Sequence, residues 1–314
     1  MKKIGIVFGQ EDTFQWALIE RINAMQRPGI VAEAVKIGGI VQGQASGYAA
    51  ILDRIGHDVP FYRAWLKQEV LLGTQVINDP FWGLADDKFF NNALALQLGV
   101  AVPKTVLLPH KDHPPRTNER SMRNLMYPLP WDEIFSYVGF PAWLKQYYGG
   151  GWANVYQVHN PQHFFETYDR TGDQLMMLQE HVEFSAYYRC YCVGREHVRI
   201  MPYEPRNEFL QRYQANHPPL TPELEQRIVR DTLTLCRGLG YDLNTLEFAI
   251  QDGVPVAIDF MNPVPDCERR WVGEENFEWI LARMSELLVS RAENPPPRGS
   301  FRTWETRLAE GGRR

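Results

Sequence analysis

The residues of this chain best suited to chemistry lie in one late stretch, residues 246–259, which runs straight into Phe260, Met261, Asn262 and Pro263. Two β-prone runs flank Asp252-Gly253, a strong hairpin signal, and the length of the turn decides which side chains share a face. A two-residue Asp252-Gly253 turn would put Asp259 on the same side as Leu246, Phe248 and Ile250, setting a carboxylate into an apolar face. A three-residue loop, Gln251-Asp252-Gly253 with Gly253 left-handed beside a bulge, instead pairs Ile250 with Val254, Phe248 with Val256 and Leu246 with Ile258. One face is then wholly apolar, and the other carries Glu247, Ala249, Ala257 and Asp259. Two carboxylates on neighbouring strands, followed by an asparagine, form a hard-oxygen set of the kind Mg²⁺ takes together with substrate phosphates. The same pattern also fits the solvated polar face of an ordinary hairpin.

Three further features bear on phosphate chemistry. Lys145 lies just ahead of Gly149-Gly150-Gly151, so its ammonium and the loop's amides can converge on one set of anionic oxygens, although triple glycines are commonly plain turns. Lys88 opens a helix and by itself reads equally as a solvated lysine. Arg189 interrupts a run of Tyr187, Tyr188, Cys190, Tyr191 and Cys192, where a guanidinium is costly unless it reaches solvent or an anion. Arg199 and Arg206 follow and extend a positive wall or form surface ion pairs.

These residues must be positioned by a chain of 314 residues, 44% hydrophobic and 23% charged, long enough for two or three packed units. A net charge of −5 argues against general affinity for nucleic acid. The first strand begins almost at once, no signal-peptide pattern is present, and no stretch reaches membrane-spanning length, so a cytoplasmic protein without a membrane partner is expected. Cys190, Cys192, Cys236 and Cys267 make no CxxC pair and read as reduced packing residues, and the histidines show no HExxH spacing.

Strand and helix signals alternate through residues 4–77, which predicts a small open α/β domain ending near residue 82. The loop Gly9-Gln10-Glu11-Asp12 lacks a dinucleotide fingerprint. A helix is expected over 86–98, a strand over 102–108, a polar surface loop over 109–130, and strands over 142–145, 155–158, 176–182 and 187–193. Helices are expected over 221–239 and 277–292, and the proline-rich tail beyond residue 293 reads as a surface segment.

In chain order these pieces resemble the ATP-grasp superfamily, in its glutathione synthetase-like and ribosomal-protein glutamate ligase-like branch. The resemblance covers roughly residues 75–265. It runs through Asp87-Lys88, residues 99–105, Gly139-Phe140-Pro141 to Lys145 and the glycine loop, Leu178 to Val182, Arg189 to Gly194, and Glu247, Asp259 and Asn262. It implies an α/β (α+β) fold with an N-terminal open α/β domain (1–82), a central subdomain (83–178), a C-terminal subdomain (179–292) and a tail (293–314), the two subdomains sandwiching a nucleotide. It further implies that Lys88 and Lys145 contact the phosphates of ATP under a lid at Gly149 to Gly151. Gln179, Glu180, His181 and Val182 would border the adenine. Glu247, Asp259 and Asn262 would hold Mg²⁺, Arg189 and Lys145 would serve the chemistry, and Arg199 and Arg206 would meet substrate. The implied activity is ATP-dependent ligation of a small carboxylate to an amine, such as an amino acid or peptide, through an acyl phosphate. A hydroxyl-directed phosphotransferase and a non-catalytic ATP-binding regulator are the alternatives. Oligomeric state stays open, a homo-oligomer included.

Three departures from the family pattern stand out. Tyr187 occupies a position where many relatives have a ribose-binding aspartate, which makes Glu183 the substitute. Asp259 and Asn262 are separated by two residues rather than one, so a bulge at Phe260-Met261 is needed to bring Asn262 to the metal side. The segment after Gly194 ends in Pro202-Tyr203 where relatives often have basic residues.

Overall fold

The computed structural model describes residues 1–81, 87–148, 154–214 and 217–297. The glycine lid expected at 149–151 and the far tail lie outside the described residues. The chain divides into two compact units, residues 1–85 with 185–314, and residues 86–184.

The first unit begins with a parallel sheet of β1 (Lys2–Val7), β2 (Ile30–Ala34), β3 (Tyr48–Asp53) and β4 (Gln75–Ile77) in the order β2-β1-β3-β4. Helices α1 (Phe14–Ala24) and α2 (Pro60–Leu72) connect them. Proline in the first turn of α2 and left-handed Gly73 at its end (φ 108°) set that helix's limits. The same unit holds an antiparallel sheet of β9 (Ala186–Val193), β10 (His197–Pro202), β11 (Leu243–Gln251) and β12 (Val254–Asn262), ordered β10-β9-β11-β12. Strand β10, absent from the sequence reading, covers the edge of β9. Helix α6 (Pro222–Leu239) packs on one face of this sheet. Helices α7 (Arg269–Val272) and α8 (Glu274–Glu293) follow the hairpin. Ile4, Ile6, Phe14 and Leu18 meet Phe277, Ile280 and Met284 of α8 together with Tyr191 and Leu243, so a single core ties both sheets of the unit.

The hairpin turn is tighter than the sequence reading has it. Gln251 pairs with Val254, leaving a two-residue Asp252-Gly253 turn in which both residues have positive φ (50° and 76°), the type I′ geometry. The pairings expected from a three-residue loop do not form: Ile250 faces Pro255 and Phe248 faces Ala257. Glu247 nonetheless lies opposite Asp259, because the ladder shifts between these two pairs and leaves Ile258 as the extra residue of a bulge. The bulge restores the face that the longer turn was expected to supply. A second shift, over the Phe260-Met261 segment, sets Asn262 opposite Thr245, where the sequence required a bulge.

The second unit carries α3 (Lys88–Gln97), β5 (Thr105–Leu108), α4 (Trp131–Val138), β6 (Ala142–Gln146), β7 (Val155–Val158), α5 (Pro161–Tyr168) and β8 (Met176–Glu180). Its antiparallel sheet has the order β5-β8-β6-β7. Helices α4 and α5, which the sequence reading lacks, close one face through Trp131, Phe135, Phe164 and Tyr168 packed on Leu144 and Leu178. The 109–130 segment is an exposed loop with one 3₁₀ turn, Glu119–Met122, among its residues. The four cysteines are buried and free.

Candidate functional site

In the second unit, alternation along β6 sends Leu144 into the aromatic core and leaves Trp143 and Lys145 on the opposite face. Met177 and Gln179 of β8 stand directly opposite them, and Thr105 of β5 lies beyond Gln179. Lys88 opens α3, whose N-cap Asp87 accepts from the Phe90 amide at 2.6 Å. Tyr147, two residues past Lys145, is buried, and its hydroxyl bonds Asp87, so the start of α3 is drawn to the end of β6. Burial and this carboxylate hold the phenol in its neutral form. The two lysines proposed for phosphate contact are thereby gathered at one end of this unit's sheet.

The segment from Gln179 to Glu183 is internally organised. Gln179 is buried and donates to the Thr105 hydroxyl at 2.8 Å, while Glu180 accepts from the Lys104 amide at 3.1 Å. An indole N–H only donates, so His181 must accept from Trp143 at Nδ1 (2.9 Å). Its proton then sits on Nε2, 2.9 Å from Glu183. Val182 is buried, and the Glu183 side chain is exposed.

In the first unit, Arg189 of β9 faces Glu247 of β11, which faces Asp259 of β12, one line of charges across three adjacent strands. Tyr187 and Tyr191 flank Arg189 on the same face, and Cys190 and Leu246 turn to the other side. Arg189 is only 6% exposed, so its charge must be met within the protein. Its guanidinium lies 3.4 Å from Asp266 and 3.8 Å from Glu247, and donates to Thr245 (3.2 Å) and Tyr203 (3.4 Å). The rings of Tyr203 and Tyr213 lie under it at 5.3 and 5.9 Å. Asn262 joins this set: with its amide turned to satisfy both ends, the oxygen accepts from Arg189 (2.8 Å) and the nitrogen donates to the Val264 carbonyl (3.1 Å).

Glu247 occupies the strained position. Burial pushes its carboxyl above the ordinary 4.5, and Asp259 adds to that, opposed by Arg189 and by the Tyr187 hydroxyl that donates to it at 2.7 Å. Tyr187 thus orients a candidate metal ligand. Two opposed carboxylates with an amide oxygen at hand suit Mg²⁺, which needs one or two protein carboxylates and takes water and phosphate oxygens for the rest. Among the described residues no cluster of three or more His, Cys, Asp or Glu side chains forms a complete protein cage.

Arg199 and Arg206 lie elsewhere. Arg199 binds Asn276 and Glu275 at the start of α8 (2.9 and 2.7 Å), and Arg206 pairs with Glu204 in two bonds of 2.7 Å. The basic residue drawn toward the Arg189 cluster is Arg212, whose guanidinium reaches the Tyr203 hydroxyl (3.5 Å) and whose charge acts on Glu247. Sequence reasoning missed Arg212, Tyr203, Tyr213, Thr245 and Asp266. Each comes from a loop or strand whose approach to Arg189 has no local signal.

No family model matches the chain, and no curated protein sequence matches it. Solved structures do. A RimK domain ATP-grasp protein from Sphaerobacter thermophilus aligns with a TM-score of 0.64 over 91% of this chain and 99% of its own, at 15% identity. The VanG D-Ala:D-Ser ligase of Enterococcus faecalis aligns at 0.62 over 93% and 99%, at 16% identity. The D-alanine–D-alanine ligase of Bacillus anthracis, solved with ATP, aligns at 0.60 over 93% and 97%, at 15% identity. The three-sheet α/β architecture is therefore the ATP-grasp fold, which the chain shares with these structures. Among the described residues no helix is long and apolar enough to cross a membrane.

Proposed function

We propose that this protein is a cytoplasmic ATP-dependent carboxylate–amine ligase acting through an acyl phosphate. A carboxylate oxygen of the first substrate attacks the γ-phosphorus of ATP and ADP leaves. The amine of the second substrate then attacks the acyl carbon, and phosphate departs as the amide forms. Lys88 and Lys145, with the glycines at 149–151, hold the phosphates, and residues 179–183 border the adenosine. Glu247, Asp259 and Asn262 would hold Mg²⁺, which when bound neutralises phosphate charge. Arg189, fixed by Asp266 and Thr245, stabilises charge on the acyl phosphate, and Arg212, rather than the ion-paired Arg199 and Arg206, meets the substrate. The supporting observation is the Arg189–Glu247–Asp259 line, a buried cation beside two opposed acids on one sheet face.

The test is ADP release screened against pooled amino acids and small carboxylates, with hydroxylamine trapping of the acyl group. ADP formed without hydroxamate would favour a phosphotransferase. A second reading, a regulator that binds ATP without turnover, draws on the Tyr187 and Asn262 hydrogen bonds that already engage two of the metal candidates. Nucleotide binding with no ADP under any acceptor would favour it.

A further inference from the structure

Residues 263–268, between the hairpin and α7, are fastened at Pro263, Pro265 and Glu268 by the loops after the parallel strands, and at Asp266 by β9. Asn78, after β4, donates to the Pro263 carbonyl at 3.1 Å. Arg54, after β3 and 3% exposed, donates from Nη2 to the Pro265 carbonyl at 2.6 Å, and the same Nη2 together with Nε binds the Glu11 carboxylate. Tyr191 donates to the Asp266 carbonyl. Glu268, 1% exposed, accepts from the amides of Asp12 (3.1 Å), Thr13 (2.9 Å) and Phe14 (3.2 Å) and from the Thr13 hydroxyl (2.9 Å).

That last set replaces a missing cap, since α1 has no side-chain cap of its own and no acid in its first turn. In open α/β sheets the carboxyl ends of the strands ordinarily form the ligand crevice. Here the loops after β1, β3 and β4 direct their polar groups onto the chain's own segment. The residue this segment carries to the candidate site is Asp266, 3.4 Å from Arg189. Asp266 is the nearest carboxylate to that guanidinium, since Glu247 stands at 3.8 Å.

We propose that residues 263–268 are a strap by which the ends of β1, β3 and β4 hold Asp266 against Arg189, making Glu268 and Arg54 positioning residues for that cation. The catalytic consequence rests on the ligase reading; the mechanical one does not. Glu268 fixes the far end of the strap on α1, Arg54 fixes its middle, and the orientation of the Arg189 guanidinium follows from both.

The mechanical arm is side-chain ¹⁵N NMR of the nucleotide-free protein, with the Arg189 signals assigned by their loss in Arg189→Lys. A held guanidinium gives resolved Nη signals. Glu268→Ala is expected to broaden or merge them, whereas Leu18→Ala, a core change in α1 that leaves the strap bonded, is expected to preserve them. In turnover, Glu268→Ala should lower kcat about tenfold or more with KM for ATP changed less than about twofold, and Glu268→Gln, which keeps an oxygen for the α1 amides, should recover most of it. If Glu268→Ala does not fold, Arg54→Lys carries the same measurements. Unchanged Arg189 signals in the strap variant would overturn the proposal, as would equal loss of them in Leu18→Ala. Altered signals in a protein that forms no ADP with any acceptor would uphold the strap and sink the ligase reading instead.

Discussion

The two antiparallel sheets solve the same problem in opposite ways. Each has four strands and one apolar face closed by helices, with charged side chains on the other, which in the first unit also packs Tyr191 and Leu243 against α8. In the second unit the closed face is an aromatic cluster, with Trp131 5.5 Å from Phe164 and 5.8 Å from Phe135, and the open face carries Lys145 on a long stem. In the first unit the polar face is itself buried around Arg189 and held by opposing charges. The comparison separates two kinds of candidate site residue: one whose loss the fold tolerates, and one whose loss leaves buried charge without its partner.

The largest effects test that separation. Arg189→Ala should cost about 3–5 kcal/mol of stability as well as turnover, because Asp266 and Glu247 lose the cation that compensates them. Phe164→Ala, in the aromatic core of the other sheet, should cost a similar ~3–5 kcal/mol by cavity formation alone. Denaturant titration gives both, and an Arg189→Ala protein as stable as wild type would break the comparison. Next in size is Arg189→Lys, which keeps the charge but loses the planar fork. Its kcat should fall about tenfold or more with ATP affinity little changed. A variant that binds ATP poorly yet turns over normally at saturation would move Arg189 to ground-state binding. Smaller still in stability, Lys145→Ala should raise KM for ATP about tenfold while unfolding within ~0.5 kcal/mol of wild type. Equal KM values would remove Lys145 from the phosphates.

How far the sequence foretold this follows the same divide. Glu247, Asp259 and Arg189 were legible because each breaks a local pattern of β-prone residues, and the sheet geometry then puts them in one row. The turn was misjudged because a bulge at Ile258 has no composition signature: a two-residue turn plus a bulge yields the same acidic face as a longer loop. Asp266, Glu268 and Arg212 were invisible because their roles depend on contacts with residues far away in the chain, such as Asp266 with Arg189 and Glu268 with Thr13. Helices α4 and α5, at eight residues each, are too short for periodicity to stand out, and α4 follows Pro130 with no side-chain cap.

The smallest effect is a slope rather than a midpoint, and it concerns Glu247. Burial, with Asp259 opposite, raises its folded-state pKa above the ordinary 4.5, so between those two values the native protein binds more protons than the unfolded chain. Without metal, the contribution of this group is therefore fully present below the unfolded value and is lost as pH rises through the folded one. Glu247→Gln removes the titration and should flatten the dependence of Tm on pH in that window. Tyr187→Phe should steepen it, because the phenol's hydrogen bond is one of the influences that lowers the carboxyl's pKa. Added Mg²⁺ should raise Tm more on the alkaline side of the window than on the acid side, since a divalent ion favours the ionised pair. Parallel Tm profiles for wild type and Glu247→Gln would show that Glu247 feels no such strain. The acid pair would then be an ordinary polar face, and the contrast between the two sheets would narrow to Arg189 alone.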